Sequence, residues 1–228
     1  MAESPEQLSL PLVELIDAPE RPSVEVAGAA ISRDELNALP IRSYQGPVVL
    51  VTNDEEMEHA VEALRKEELL GFDTETKPVF RAGISHPPSL LQLAGEAQAW
   101  IFQLRHLRRL NLLFSILADK TIAKAGVALA DDLKKLREVQ DFKPARFTEL
   151  GDLAKKLGYR QTGLRTLAGL VLGFRISKRE QRSNWARQQL TPSQIMYAAT
   201  DAWVSRELHL ALTHRLNGRA HDHFNQPA

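Results

Sequence analysis

Leu69-Leu70-Gly71-Phe72-Asp73-Thr74-Glu75-Thr76 starts as an apolar run and ends in two acids. Read as a strand, it sends alternate side chains to opposite faces, so Asp73 and Glu75, two residues apart, project from the same one. Two like charges at a strand end repel, and a cation between them removes the penalty. Paired acids in this setting point to a metal, set against the plainer alternative of a solvent-facing strand end at a turn. Upstream, residues 48–52 (Val-Val-Leu-Val-Thr) read as a strand. Asn53 followed by Asp54, Glu55 and Glu56 supplies a capping box and an acidic first turn for a helix to about Lys66. Downstream, the apolar runs at 89–94 and 99–102 are separated by Gly, Pro and polar turns, so with 69–72 they predict a three-strand meander.

A helix over 107–118 and a strand over 121–125 follow. Beyond Ala130 the periodicity is helical, with helices expected at 130–138, 150–158, 163–172 and 192–216. Thr162-Gly163 and Thr191-Pro192 serve as the starts of the last two. Strands first and helices later, with crossovers between, predict an α/β fold: a mixed sheet with flanking helices. Residues 1–28, rich in Pro and acid, are expected to be a poorly ordered arm, and 31–43 a short connector. The expected division is 1–45 arm and connector, 46–216 domain, 217–228 tail.

Of the 228 residues, 43% are hydrophobic and 25% charged, which excludes collagen-like, wholly disordered and coiled-coil chains. The absence of Cys removes disulfides, thiol nucleophiles and Cys-ligated metals, leaving oxygen or imidazole as metal ligands. The N-terminal stretch is acidic and interrupted by Pro5, Pro11 and Pro19, so no secretory signal is read there. No segment approaches the roughly 20 apolar residues of a membrane span. A cytoplasmic protein without a membrane partner is the expectation. The formal net charge is zero, yet residues 101–188 carry 19 Lys and Arg against 8 Asp and Glu. Such asymmetry creates a local positive field where the basic residues share a face; its alternative is a set of solvated helix faces.

Two further acids stand out. In Gly126-Val127-Ala128-Leu129-Ala130-Asp131-Asp132-Leu133-Lys134-Lys135-Leu136, adjacent acids open a helix, where acids are common in any case. Leu129, Leu133 and Leu136 mark its apolar stripe. The centre of that stripe lies about 67° from Asp132 and about 167° from Asp131, so Asp132 borders the core and Asp131 points away. Asp201 lies in the last helix, where Tyr197, Val204, Leu208 and Leu212 all fall within about 60° of it. A buried carboxylate needs a partner. Positions 198 and 205, one turn to either side, are Ala and Ser and supply no base.

Asp73-x-Glu75, Asp132 in its Gly-Val-x-x-x-x-Asp-Leu-x-x-Leu context, and Tyr197-x-x-x-Asp201 resemble, in order and context, the three motifs of the DEDDy 3′–5′ exonucleases. The flanks are most similar to the Werner-syndrome exonuclease-like and ribonuclease D-like branch: Lys77-Pro78-Val79-Phe80, Pro88-Ser89-Leu90-Leu91-Gln92-Leu93, Asp152-Leu153-Ala154 and Ser183-Asn184-Trp185. The likeness spans about Pro47 to Leu212. It implies a ribonuclease H-like fold and phosphodiester hydrolysis from the 3′ end with two divalent cations, Mg²⁺ or Mn²⁺. By the same resemblance Asp73 bridges both ions, Glu75 and Asp201 bind mainly the catalytic one, and Asp132 supports the second, partly through water. Tyr197 orients the attacking water, its alternative being simple core packing.

The basic loop 175–182 offers Lys178 and Arg182 as phosphate contacts, with solvated charge as the alternative. Trp185 is read either as a base-stacking residue or as a packing residue. His221-Asp222-His223 is a weak metal candidate in a polar tail. The expected partner is nucleic acid, with DNA favoured over RNA. Ribonuclease D-like trimming of RNA is the alternative, and a non-catalytic nucleic-acid-binding module is a third reading against which the full set of acids counts.

Overall fold

The computed structural model describes residues 30–79 and 85–224, with side chains described as far as residue 218. Six strands, β1 (Val48–Val51), β2 (Leu69–Thr76), β3 (Pro88–Ala94), β4 (Ala99–Gln103), β5 (Ala123–Gly126) and β6 (Phe147–Glu149), form one sheet in the order β1-β4-β3-β2-β5-β6. β2, β3 and β4 pair antiparallel as the expected meander, while β1 lies parallel to β4, and β5 and β6 run parallel to β2. The helices are α1 (Arg33–Ala38), α2 (Asp54–Leu64), α3 (Leu110–Ala118), α4 (Leu129–Val139), α5 (Leu150–Lys156), α6 (Leu164–Leu167) and α7 (Pro192–Phe224). Among the described residues no helix is long and apolar enough to cross a membrane.

Strand alternation divides the core. Leu70, Phe72, Leu91, Leu93 and Phe102 join α2, α3 and α4 in one apolar cluster; Leu90, Ala94, Ala99 and Ile101 join Ala198, Ala199 and Ala202 of α7 in another. A third unites α5, α6 and α7 beside Leu69 and Ala125. Each fully buried Leu or Phe contributes about 1.5–3 kcal/mol, so a one-residue slip of β2 would turn Leu70 and Phe72 out of the first cluster and Leu69 out of the third. The sheet is thus covered by helices on both faces, as the mixed α/β expectation requires.

The structure corrects the expectation in four places. Residues 33–38 of the expected connector are a helix. The Ser32 hydroxyl accepts from Glu35 N while the Glu35 carboxylate accepts from Ser32 N, a reciprocal box that starts α1. β6 is an additional strand of three residues. The helix expected over 163–172 is α for one turn and then widens into a π-turn over Ala168–Leu172. α7 runs on through Phe224 and takes in most of the expected tail. The arm at 1–28 and Phe80 lie outside the described residues, as do the side chains of His221, Asp222 and His223.

Candidate active site

α7 crosses β2 where β2 has no side chain. A Cβ built on Gly71 would lie 1.9 Å from the Ala202 carbonyl oxygen and 2.7 Å from Arg206 N, so glycine permits backbone against backbone. The residue before Ala202 is Asp201, and two residues beyond Gly71 on the same face is Asp73. This close approach brings the acids together: Asp73, Glu75 and Asp201 each offer a carboxylate oxygen, and these oxygens lie within 4.8 Å of one another. Asp201 is only 5% exposed, and its Oδ1 is buried without a hydrogen-bond partner. The β2–β3 register shifts between Glu75 and Thr76, ending regular pairing where the site opens.

Asp132 arrives from the α4 side. It stands outside the three-acid cluster and is held by β2 itself, because the Thr74 hydroxyl donates to its Oδ1 at 2.8 Å. Asp132 is half-buried and Asp131 exposed, the phase that the apolar stripe of α4 dictates. The start of α4 is fixed by a residue that sequence reasoning passed over. Ala128 adopts a left-handed conformation (φ 59°) with no side-chain cap of its own. Glu149, at the end of β6, accepts from Ala128 N (3.1 Å), Leu129 N (2.8 Å) and Gly151 N (3.0 Å), so one carboxylate caps α4 and α5 together.

The electrostatics are those of acids crowded without a counterion. Burial, then the neighbouring Asp201 and Asp132, raise Asp73 well above the carboxylate range. Burial, then Asp73, Asp201 and Asp132, push Glu75 up to about 10. Asp201 is raised to about 7 by burial; the Tyr197 hydroxyl opposes the rise but makes no hydrogen bond of regular geometry to the unpartnered Oδ1. Asp132 is raised by burial and pulled back by its bond from Thr74. Burial and the surrounding carboxylates raise the Tyr197 phenol, which keeps its proton.

A cavity of about 470 Å³ opens over the acids, lined by Asp73, Glu75, Tyr197 and Asp201 together with Lys178 and Arg165 among others. A smaller one, about 180 Å³, adjoins it and shares Tyr197 and Asp201. Lys178 is exposed and lines the larger cavity; Arg182 is exposed and lines neither. For Trp185 the structure removes the base-stacking reading and keeps the packing one. The residue is 1% exposed, packs in the core cluster with the alanines of α7, and lies 5.8 Å from Tyr197 between ring centroids, tilted by 44°. No face is free for a base, and its indole backs the tyrosine instead.

Acids from β2 and α7 converge beside a tyrosine at the wall of a cavity, with Asp132 of α4 held to the same strand by Thr74. The chain belongs to the 3′–5′ exonuclease family, whose model matches residues 48–217. The human exonuclease mut-7 homologue is 30% identical over 220 aligned positions, covering 82% of this chain and 25% of that protein. The mouse bifunctional 3′–5′ exonuclease/ATP-dependent helicase WRN is 34% identical over 146 positions, 60% of this chain and 10% of the relative. The chain therefore spans a quarter or less of these relatives. Among solved structures, Escherichia coli RNase D, described as an exoribonuclease involved in structured RNA processing, superposes with a TM-score of 0.65 at 25% identity, covering 75% of this chain and 46% of that one. The fold is the ribonuclease H-like one of the Werner and ribonuclease D branch.

Proposed function

We propose that the protein removes nucleotides one at a time from the 3′ end of DNA, using two divalent cations, Mg²⁺ or Mn²⁺, held by Asp73, Glu75, Asp132 and Asp201. The observation that carries the reading is the convergence of three carboxylates within 4.8 Å with one buried oxygen left unpartnered. The donor set fits such ions: all ligands are hard oxygens, and the burial and crowding that raise their proton affinities are what a positive charge at this point would offset. When bound, the ions supply charge neutralisation at the scissile phosphate and a water activated near neutral pH.

The protein's own groups do the rest. Asp73 and Glu75 face the cavity from a strand end that the sheet holds rigid. Asp201 closes the set from α7, and Asp132, steadied by Thr74, supports it from α4. Tyr197, protonated and one turn before Asp201, donates its hydroxyl toward the attacking water and fixes its direction, while Trp185 behind it limits the ring's movement. Lys178 at the cavity wall meets backbone phosphate, with exposed Arg182 further along the same loop.

A second reading, trimming of RNA 3′ ends, draws on the likeness to RNase D and uses the same acids. Digestion of matched 5′-labelled DNA and RNA strands tests both. We expect stepwise shortening with release of nucleoside monophosphates, faster on DNA, and complete loss in EDTA. Cutting within a closed circle, or undiminished activity in chelator, would overturn the exonuclease reading; faster loss of RNA would transfer the preference to the second.

A further inference from the structure

Arg165 faces the cavity from α6 on terms that nothing in the fold explains. It is half-buried, and its Nε is buried without a hydrogen-bond partner. Its one hydrogen bond to another side chain goes from Nη2 to a neutral acceptor, Asn37 Oδ1, at 3.1 Å. None of the ion pairs among the described residues includes it. Burial lowers its affinity for its proton, and Arg175 and Arg33 lower it further, with Tyr197 as the smaller opposing influence. A guanidinium kept in such a place, with donors still free, is built for an anion that arrives from outside.

Asn37 belongs to α1, which is bound along this wall. Ile31 N donates to Gln161 Oε1 at 2.9 Å and Gln161 Nε2 returns a bond to the Ile31 carbonyl at 3.2 Å. Arg175 Nε donates to the Leu39 carbonyl at 3.0 Å, and the backbones of 40–42 and Arg175 exchange two bonds of 2.9 Å. Leu36 fits so closely over Gly169 that an added Cβ there would come within 2.5 Å of its Cδ1. α1 is a brace on the helix that carries Arg165, and Asn37 is the point at which the brace touches the guanidinium.

We propose that Arg165 binds a backbone phosphate of the substrate strand in the cavity that the acids also line, and that Asn37 is a positioning residue for it. The forked guanidinium suits a phosphate with two parallel bonds, and its place in the wall of the same cavity as the carboxylates puts it within the space a strand would occupy. This rests on the exonuclease reading and concerns strand binding rather than the hydrolytic step.

The test measures the affinity of a 5′-fluorescein single strand in EDTA by anisotropy at several salt concentrations, and KM and kcat in Mg²⁺. Arg165→Gln is expected to weaken binding and raise KM about tenfold, to leave kcat within about twofold, and to reduce the slope of log affinity against log salt by about one. Arg165→Lys should recover part of the affinity and all of the salt slope. Asn37→Ala, which keeps the guanidinium, should raise KM by roughly threefold with the slope unchanged. Unchanged affinity in Arg165→Gln with wild-type melting behaviour, or a loss confined to kcat, overturns the proposal. A wild-type protein that neither binds nor degrades any strand would instead overturn the functional reading beneath it.

Discussion

The two sides of the acid site are built by different means. On the α7 side, Asp201 is placed by backbone pressed against backbone at Gly71, with its buried Oδ1 making no hydrogen bond. On the α4 side, Asp132 is placed by polar contacts: the Thr74 hydroxyl on its carboxylate and the Glu149 carboxylate on the first amides of its helix. A steric contact cannot be partly made, whereas hydrogen bonds can be lost one at a time. The α7 side should therefore fail abruptly and the α4 side by degrees.

The acids themselves bound this contrast. Asp201→Ala and Asp132→Asn are each expected to lower the exonuclease rate by about a thousandfold or more on folded protein, since the proposed mechanism uses each as a metal ligand, while Asp131→Asn stays within about twofold. Loss in Asp131→Asn with retention in Asp132→Asn, measured at one metal concentration, would show the phase of α4 to be misassigned.

The supports come next. Gly71→Ala forces the Ala202 carbonyl away, and overpacking of this kind costs about 1–3 kcal/mol or more. With Asp201 displaced by a fraction of its reach, the rate should fall about a hundredfold even where circular dichroism reports a folded chain. Glu149→Gln keeps one acceptor for the three amides, and should cost about 1–2 kcal/mol in melting experiments and lower the rate only about five- to tenfold. Equal losses in the two variants would erase the distinction between the sides.

The smallest effect concerns pH. Asp201, ordinarily near 3.8, stands at about 7, and Glu75, ordinarily near 4.5, at about 10, so the folded metal-free protein retains protons that the unfolded chain releases. That contribution to stability is complete below about pH 4 and is lost as pH rises through 7 toward 10. The melting temperature of the EDTA-treated protein should fall by roughly 5–10 °C between about pH 5 and pH 8. Mn²⁺ should restore more of it at the higher pH, where the cluster is charged. A melting temperature independent of pH in Asp201→Asn, beside a sloping one in wild type, would assign the effect to the α7 side.

Much of this was legible in the chain. Period-two alternation around Asp73, the phase of α4 at Asp132 and the apolar stripe around Asp201 are local properties, and the structure keeps all three. What escaped depends on neighbours distant in sequence. β6 has three residues, too few to display a period, and exists because β5 offers it an edge. α1 buries no residue completely, so no apolar stripe announced it, although Ser32 and Glu35 carry its capping signal. Glu149 and Arg165 look like ordinary surface charges until the elements they face are known. Trp185 could be read two ways because an indole serves as readily to pack as to stack, and only its burial decides.

Gly71 also constrains how such a site can change over generations. Every other amino acid carries a Cβ, so no single substitution at this position leaves the Ala202 carbonyl where it is. A lineage could alter the residue only after α7 had already drifted from the sheet, and that drift alone would separate Asp201 from Asp73. Either order of events passes through an intermediate of much lower activity, so residue 71 and the seating of α7 tend to be inherited as a pair.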